Sequence, residues 1–414
     1  MAEVMTAAPK KAEIERDYQV WDFVKLDDVA KRGSGHTPKK GVSAYWNGDI
    51  PWISLQDSAA LDRPFLRSTA VNITTAGIAN SSAKLHPAGT VVLSRDAGVG
   101  KSTIMAADMA VSQHFIAWTC GSRLLNAFLY YYLQSQKDEF DRIAVGSTIK
   151  TIGLPYFKDY QVPLPPIKEQ EAIAEALSDA DALIEGLERL IAKKRLIKQG
   201  AVQDLLTAKR RLPGFSREWT PCKLGERGHF FKGSGVRKDE AKSGFLPCVR
   251  YGELYTLHHD VVRDFASFIS ADVAKTARPI KSGDILSAGS GETKEEIGKC
   301  AVVAFQGEMY AGGDIIAFRP SADDPVFLSY LLNAPAVQKQ KARKGQGDAV
   351  VHISATALGD LDLLLPGEQE QRRIFAVLED MDAETRALEF RLEKARQVKE
   401  GMMQNLLTGR IRLV

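Results

Sequence analysis

Residues 165–207 read PPIKEQEAIAEALSDADALIEGLERLIAKKRLIKQGAVQDLLT, and residues 366–408 read PGEQEQRRIFAVLEDMDAETRALEFRLEKARQVKEGMMQNLLT. Identical or similar residues recur between the two stretches at a constant shift of 201 positions, as Asp181 and Asp382 do. The chain therefore carries an internal duplication, and these two stretches are its best-preserved part.

Both stretches repeat apolar residues at alternating spacings of four and three, which is typical of long helices that pack at a shallow angle. Pro165 and Pro166 suit the start of the first helix, because the N–H that proline lacks has no partner there. Pro213-Gly214 and Gly409 suit the ends of the two helices. The residues that we predict for the seam between the helices are Ile173, Leu177, Ile184, Leu187, Ile191, Leu205, Ile374, Leu378, Met381, Leu388, Leu392, Met402 and Leu406.

The charge of each predicted helix changes sign along its length. Residues 168–188 hold seven acids and one base, whereas residues 189–211 hold eight bases and one acid. Residues 368–389 hold seven acids and three bases, and residues 390–412 hold six bases and two acids. Antiparallel pairing sets each acidic half against the basic half of the other helix, so we expect that arrangement. The alternative is that these are solvated faces whose single ion pairs contribute little.

The segments before each helix repeat more faintly, as in Phe115–Trp118 and Ile315–Phe318. They read as short β runs broken by Gly-rich turns and followed by a short helix. The predicted fold class is α+β, with two mixed α/β domains joined by two long helices that pair as an antiparallel coiled coil, in a pseudo-twofold internal repeat. The predicted segments are 1–165 for the first domain, 166–212 for the first helix, 213–365 for the second domain and 366–414 for the second helix.

The totals are those of a soluble globular protein: 414 residues, 44% hydrophobic and 26% charged. No apolar run approaches the ~18 residues of a membrane helix, and residues 1–11 lack the features of a signal peptide. We therefore expect a cytoplasmic protein that makes no membrane contact. The four cysteines form no CxxC pair and the seven histidines show no metal spacing, so no metal site is predicted. A net charge of +3 neither supports nor excludes nucleic-acid binding.

Three stretches look catalytic at first sight. Gly98–Thr103 resembles a phosphate-binding loop, but Arg95 stands where that motif needs glycine. Phe231–Gly235 resembles the S-adenosylmethionine loop of adenine methyltransferases, yet the chain has no Asn/Asp-Pro-Pro-aromatic motif to hold a flipped adenine. Glu240–Lys242 matches only the end of a nuclease motif. No catalytic residue is therefore predicted.

Over nearly its whole length the chain resembles the specificity (S) subunits of type I restriction–modification systems. Tyr45–Ile53 is similar to the most recognisable run of that family, and Ser34–Pro38 to its opening Gly-Thr-Pro turn. Gly146–Lys150 resembles a motif late in the target-recognition domain, and Leu406–Arg410 resembles the end of the second shared helix. The second domain departs from the pattern, because it lacks the Tyr-Trp-Asn-Gly run and has Gly347–Val350 in place of Gly-Ser-Thr-Ile.

The resemblance implies a subunit that has no catalytic site of its own. Each target-recognition domain would bind one half of a two-part site in double-stranded DNA. The helices would set the spacing between the halves and bind two adenine-methyltransferase (M) subunits, which motor-nuclease (R) subunits join for cleavage. S-adenosylmethionine, ATP and Mg²⁺ would be bound by these partners and no cofactor by this chain. A pseudo-twofold reader favours inverted half-sites with unread base pairs between them.

Two alternatives stay open. One is a self-contained DNA methyltransferase or nuclease, which the incomplete motifs above disfavour and which binding of S-adenosylmethionine by the chain alone would revive. The other is a coiled-coil adaptor whose domains bind protein, against which specific retention of a defined duplex would count.

Basic residues around the Gly-rich turns and the later loops are the predicted DNA contacts, because Lys and Arg bind phosphates. In the first domain they are, together with two hydroxyl residues, Lys31, Arg32, Lys39, Lys40, Lys101, Ser147, Thr148 and Lys150. In the second domain they are Lys232, Arg237, Lys238, Lys242, Lys341, Arg343 and Lys344. For each of them, a solvated surface charge is the alternative. Trp46 and Trp52 are expected in the core rather than as stacking platforms.

The heptads predict that helix length sets the distance between the two half-sites. Deleting four residues within 184–197 would shorten the first helix by about 6 Å. We expect the unread spacer to change, or activity to end, while each half-site sequence stays the same. The measurement is a map of methylated adenines in cells that co-express the variant with its M partner. A changed half-site sequence would contradict this division of labour.

Overall fold

The computed structural model of the chain describes residues 21–413, which form two compact units. Unit 1 consists of the residues up to 188 together with those from 390 onwards, and unit 2 consists of residues 189–389. Both boundaries fall inside the long helices, so each unit contains a part of each helix. The predicted first domain, residues 1–165, begins before the described residues. The segment 1–11, in which no signal peptide is expected, lies entirely outside them.

Unit 1 contains a five-stranded, a four-stranded and a two-stranded sheet. Its strands are β1 (Phe23–Lys25), β2 (Ala30–Ser34), β3 (Trp46–Ile53), β4 (Phe65–Leu66), β5 (Asn72–Ile73), β6 (Leu85–His86), β7 (Val91–Ser94), β8 (Ser102–Met105), β9 (Met109–Val111), β10 (Phe115–Cys120) and β11 (Gln161–Pro163). Its helices are α1 (Thr75–Ala79), α2 (Asn126–Ser135), α3 (Lys137–Ile143) and the first part of the long helix α4 (Ile167–Leu206). The five-stranded sheet has the order β2-β10-β7-β8-β4, the four-stranded sheet has the order β5-β3-β9-β6, and β1 pairs with β11.

The middle strands of the five-stranded sheet are covered on both faces. Val91 and Leu93 of β7 and Trp118 of β10 are fully buried, as β-branched, aliphatic and aromatic side chains are in a central strand. Phe128 and Leu129 of α2 pack against these residues and form the main core of unit 1 with them. This face of the sheet is therefore covered by α2.

Unit 2 repeats this plan. Its strands are β12 (Thr220–Lys223), β13 (Gly228–Lys232), β14 (Leu246–Val249), β15 (Val261–Val262), β16 (Ser267–Ile269), β17 (Arg278–Ile280), β18 (Ile285–Ala288), β19 (Ser290–Gly291), β20 (Cys300–Val303), β21 (Met309–Ala311), β22 (Ile315–Pro320), β23 (Val351–His352) and β24 (Asp362–Leu365). Its helices are α5 (Glu253–Thr256), α6 (Ala271–Ala274), α7 (Pro325–Asn333), α8 (Pro335–Lys344), α9 (Ala355–Gly359) and part of the long helix α10 (Glu368–Leu406).

The strand order of each sheet of unit 1 recurs in unit 2, which has the short pair β19–β23 in addition. Its sheets run β13-β22-β18-β20-β15 and β16-β14-β21-β17, β12 pairs with β24, and β19 pairs with β23. The parallel pairs also recur, because β4 with β8 matches β15 with β20, and β3 with β9 matches β14 with β21. The internal duplication predicted from the helices thus extends over both α/β domains.

The helix α4 ends before the predicted boundary at residue 212, and Pro213-Gly214 do not form its end. Ala208 adopts a φ of +56°, a left-handed conformation that ends a helix. Gly409, its equivalent under the duplication, has a φ of +73° and follows the end of α10. The sequence did not indicate the first end because alanine rarely takes this conformation, whereas glycine takes it readily.

The two long helices pair antiparallel, as their charge pattern predicts. In unit 1, Asp181–Lys399 (2.5 Å) and Glu188–Arg396 (2.6 Å) join the two helices, and Glu169–Arg412 (2.5 Å) joins α4 to the segment that follows α10. The equivalent pairs in unit 2 are Glu370–Arg211 (2.7 Å), Asp382–Lys198 (2.6 Å) and Glu389–Arg195 (2.5 Å). Each pair of unit 1 becomes its counterpart when 201 is added to one residue number and subtracted from the other. The duplication therefore preserves both the direction and the register of the pairing.

The predicted seam residues lie on the covered side of the helices. Those that are buried are Ile173, Leu177, Leu187, Ile191, Leu205, Ile374, Leu378 and Leu406. Those that are half-buried are Ile184, Met381, Leu388, Leu392 and Met402. Ile173, Leu177 and Leu406 belong to the core of unit 1, and Ile374 and Leu378 to the core of unit 2. The helix pair and the domain thus share one core in each unit.

Glu169 generates a prediction about pH. Its carboxylate, whose side chain is 4% exposed, accepts two hydrogen bonds from Arg412 at 2.5 and 2.7 Å. The hydrogen bonds from Arg412 are the main cause that lowers the pKa of Glu169. The stabilisation is therefore complete above the ordinary pKa of about 4.3 and is lost as the pH falls through the lowered pKa.

We expect Glu169→Gln to lower the free energy of unfolding by about 1–3 kcal/mol at pH 7, and the difference from the parent to shrink below about pH 4. Urea denaturation over a pH series measures both effects. Glu171→Gln, on the exposed side of the same turn, is the matched control and should leave the stability unchanged. A difference that persists unchanged at low pH would contradict the assignment.

Candidate nucleic-acid interface

The Gly-rich turn after β2 lies against the end of β9. A Cβ on Gly35 would stand 1.6 Å from the carbonyl oxygen of Val111, so only glycine fits there. The amide of His36 donates to the same oxygen at 3.1 Å. Thr37 then donates its hydroxyl to Oε1 of Gln113 at 2.6 Å. The turn is therefore fastened to the segment that follows β9.

Two further loops of unit 1 join this turn. The amide of Arg95, after β7, donates to the carbonyl of His114 at 3.0 Å, and the amide of Ile152 donates to the carbonyl of Arg95 at 2.9 Å. Asp96 and Thr151 form an isolated antiparallel bridge. We call the four segments 33–40, 95–101, 111–114 and 145–152 the first loop cluster.

Unit 2 repeats the path with other residues. A Cβ on Gly233 would stand 1.9 Å from the carbonyl oxygen of Gly312. The amide of Gly289 donates to the carbonyl of Asp314 at 2.7 Å, and the amide of Ile353 donates to the carbonyl of Gly289 at 3.0 Å. We call the four segments 232–245, 289–291, 312–314 and 346–353 the second loop cluster.

The tips of the late loops also correspond. Gly146 and Gly347 have φ values of +132° and +105°. A Cβ on either would meet the carbonyl oxygen three residues later at 2.2 Å. The predicted equivalence of Gly146–Ile149 and Gly347–Val350 therefore holds in backbone conformation, although the side chains differ.

The first loop cluster contains most of the predicted contact residues of unit 1. Lys39 and Lys40 are exposed after the Gly-rich turn, and Ser147 and Thr148 are exposed at the tip of the late loop. Lys150 is also exposed and pairs with Asp141 at 2.8 Å.

Two of the other three predicted contacts of unit 1 are half-buried. Lys101 is half-buried, and its Nζ donates to the carbonyl of Ser58 at 2.9 Å. Lys31 is exposed on β2, whereas Arg32 is half-buried and lies 3.0 Å from Asp27. Lys101 and Arg32 are therefore already engaged within the chain.

The predicted cations of the Gly-rich turn in unit 2 are exposed. They are Lys232, Arg237, Lys238 and Lys242. Val236 anchors this loop, since it is buried in a small apolar cluster with a φ of +56°, which is strained for a β-branched residue. Phe245 ends the loop and is 95% exposed, which the sequence analysis did not anticipate.

The prediction that Lys341 contacts DNA is wrong. Lys341 is 1% exposed, and its Nζ donates to the carbonyl of Gly298 at 2.7 Å. Burial lowers its pKa. Lys341 follows Val337 by four residues on α8 and therefore shares the face that packs on the core. Arg343 is exposed and Lys344 is half-buried on the following turn.

The expectation for the two tryptophans is met at Trp52, which is buried in a small core. Trp46 is half-buried, stands edge to face with Trp52 at 5.3 Å, and lines a cavity of about 650 Å³ together with Lys40, Gln113 and His114. In unit 2, Lys232 lines a cavity of about 560 Å³ together with Asp314 and His352. Each loop cluster thus combines a cation with polar side chains at a concave surface.

The residues predicted from the sequence do not include the polar side chains at the centre of these clusters. They are Arg95, Asp96, Gln113 and His114 in unit 1, and Ser290, Asp314 and His352 in unit 2. The signal that could have found them is the alignment of the two copies, because these positions differ beside the well-matched β10 and β22. Within residues 21–413, no group of three or more His, Cys, Asp or Glu side chains is placed to hold a metal ion.

The chain is duplicated, each of its two α/β units has a cationic loop cluster, and its long helices pair antiparallel. These features are those expected of a subunit that recognises a two-part target. The family model described as "Type I restriction modification DNA specificity domain" matches residues 18–193 and 216–395. The chain therefore belongs to this family and contains two copies of its domain.

The comparisons with individual proteins agree with this membership. The chain is 24% identical, over 95% of its length and 93% of the relative's, to the MjaVIII specificity subunit of Methanocaldococcus jannaschii. It is 29% identical to the MjaIX specificity subunit of the same organism, but that match spans only 42% of this chain and 41% of the relative. The match to the EcoR124I/EcoR124II specificity subunit of Escherichia coli likewise spans 43% of that relative, at 29% identity.

Solved structures show the same fold. The crystal structure of the type I S subunit from M. genitalium aligns with a TM-score of 0.59 over 95% of this chain and 98% of that one, at 16% identity. A chain from a study of complex assembly in a type I restriction–modification system aligns with a TM-score of 0.58 over 95% of this chain and 99% of that one, at 18% identity.

The exposed lysines of the first loop cluster generate a prediction. We expect Lys39→Ala combined with Lys40→Ala to weaken duplex binding equally for all sequences, because phosphate contacts do not read bases. The slope of log affinity against log salt should become shallower by about 0.9 per lost contact. Lys158→Ala is the control, since Lys158 is exposed beside the β1–β11 pair and outside the cluster. An unchanged salt slope would exclude these lysines as contacts.

Proposed function

We propose that this chain is the DNA-recognition subunit of a type I restriction–modification complex, in which each unit reads one half of a two-part target. One observation carries the proposal: the two units keep the same strand order and backbone path but carry different polar side chains in their loop clusters. Equal scaffolds with unequal reading surfaces suit two different half-sites. Exposed cations beside each cluster suit the phosphates of the duplex.

The helices fit the role of spacer and docking surface for M subunits. Leu190, Leu196 and Ile197 are exposed on α4, and Phe390 and Val398 are exposed on α10. Exposed apolar side chains of this size are typical of sites that another protein covers. M subunits bound there would bring the methyltransferase to the DNA, and R subunits would join for cleavage.

The chemistry belongs to the partners in this proposal. S-adenosylmethionine would bind the M subunits, and ATP and Mg²⁺ would serve the R subunits. In the Gly98–Thr103 stretch, which looks like a phosphate-binding loop, residues 98–101 lie in the turn between β7 and β8, and Nζ of Lys101 donates to the carbonyl of Ser58. That engagement disfavours a nucleotide site in this chain. No helix within residues 21–413 has the length and apolar character to cross a bilayer. As a restriction–modification complex, the assembly would act on DNA in the cytoplasm.

Exchanging one domain tests the proposal. We expect replacement of residues 20–160 by the same segment of a relative with another target to change one half of the methylated motif only. Replacement of 213–365 should change the other half. The measurement is the map of methylated adenines in cells that co-express the chimaera with the M partner.

A change in both halves, or in neither, would contradict the proposed division. If the parent chain yields no methylation, duplex binding by the purified complex decides between an unsuitable M partner and a chain that does not read DNA. Binding of S-adenosylmethionine by the chain alone would favour the enzyme alternative instead.

A further inference from the structure

The two loop clusters can be aligned by their backbone hydrogen bonds rather than by their sequence. The bonds that join Arg95 to His114 and to Ile152 recur as those that join Gly289 to Asp314 and to Ile353. By this alignment Asp96 corresponds to Ser290, His114 to Asp314, and Thr151 to His352, since the bridge of Asp96 with Thr151 matches the pairing of Ser290 with His352. The alignment therefore shows which side chains were exchanged on one conserved path.

The corresponding residues Asp96 and Ser290 each form a hydrogen bond with a histidine. Oδ2 of Asp96 lies 2.9 Å from Nδ1 of His114, and Oγ of Ser290 lies 3.0 Å from Nδ1 of His352. The two histidines come from different segments, one after β9 and the other in β23. Each unit thus bonds an imidazole to the same backbone position, but the histidine comes from a different neighbouring segment in each unit.

Both histidines face concave, cationic surroundings. The side chain of His114 is 33% exposed and lines the cavity that Lys40 and Gln113 also line. His352 is exposed and lines the cavity that Lys232 and Asp314 also line. Because the lysines suit phosphates, a duplex bound to them would bring its base edges near the imidazoles.

We propose that His114 and His352 are specificity-determining residues, each of which contacts base edges in one half of the DNA target and is oriented by Asp96 or Ser290. This inference rests on the proposed function and deepens it. Asp96 and Ser290 act through the histidines and are positioning residues.

Hydrogen-bond chemistry makes the two sites different. The carboxylate of Asp96 only accepts hydrogen bonds, so it holds the proton of His114 on Nδ1 and leaves Nε2 of the neutral ring as an acceptor. An acceptor suits the amino group of adenine or cytosine in the major groove. The amide nitrogen of Gln113 lies 3.4 Å from Nε2 of His114, so a base amino group that binds to Nε2 would replace this contact.

The hydroxyl of Ser290 can donate or accept, so His352 can present either an acceptor or an N–H at Nε2. An N–H suits the N7 and O6 acceptors of guanine. The exposed carboxylate of Asp314 stands near by as an acceptor for the amino group of cytosine. The two clusters therefore offer different donor and acceptor patterns, as two different half-sites require.

The test uses the complete complex in cells that co-express the chain with its M partner. His114→Ala should relax or change at least one base position in the half-site of unit 1 and leave the other half intact, and His352→Ala should do the converse. The amide of Asp96→Asn can donate as well as accept, so it no longer fixes the proton of His114 on Nδ1. This variant should change the same half-site as His114→Ala. His259→Ala is the control, because His259 is exposed in unit 2 outside the second loop cluster.

Unchanged motifs in both histidine variants, with an intact two-part motif in the parent, would overturn this inference alone. A parent chain that yields no two-part motif would overturn the proposed function and this inference together. If a variant abolishes methylation, binding of the purified complex is measured on duplexes with single base-pair changes. Discrimination at one position that falls about 10- to 100-fold supports the inference, whereas an equal loss on every duplex indicates a structural role and overturns it.

Discussion

The antiparallel pairing of α4 with α10 is the interaction on which the rest of the molecule depends. Apolar seam residues supply most of its free energy, because ion pairs at or near the surface contribute little net stability. The ion pairs instead fix direction and register, which is the best-attested use of such groups. Glu169 and Glu370 illustrate this, since each buried carboxylate accepts two hydrogen bonds from an arginine in the segment that follows the other helix. A parallel pairing would take both arginines away from these buried carboxylates.

The same contacts tie each α/β domain to the helices. Tyr131 and Tyr330 occupy corresponding positions on α2 and α7, and each donates its hydroxyl to the carboxylate, Asp181 or Asp382, that also takes a lysine of the helix pair. The core of each unit then continues from the sheet into the helix seam. These contacts fix each domain to the helix pair in the same way, while the exposed side chains of the loop clusters make no contribution to the cores and can differ between the units.

Much of the architecture could be predicted from the sequence because it rests on periodic patterns. The shift of 201 residues, the heptads and the reversal of charge predicted the duplication and the antiparallel pair. Ala208 shows one limit of such patterns, because an alanine in the sequence does not indicate a left-handed backbone conformation. Lys341 shows a second limit, because a lysine at a core position of α8 looks like any surface cation until the helix face is known.

The contacts at the centres of the loop clusters could not be predicted for a different reason. Asp96 and His114 meet only because β7 pairs with β10, and Ser290 meets His352 only through the pairing of β19 with β23. Such proximity depends on strand order rather than on spacing along the chain. Once the strand order is known, the two units can be aligned position by position, and the alignment shows which side chains differ between their loop clusters.

Selection of duplexes from a random-sequence pool by the purified complex of this chain with its M partner tests the central claim most directly. The account predicts that the retained duplexes share two short blocks separated by a constant number of unspecified base pairs. A single continuous block, or no enrichment above the starting pool, would contradict it.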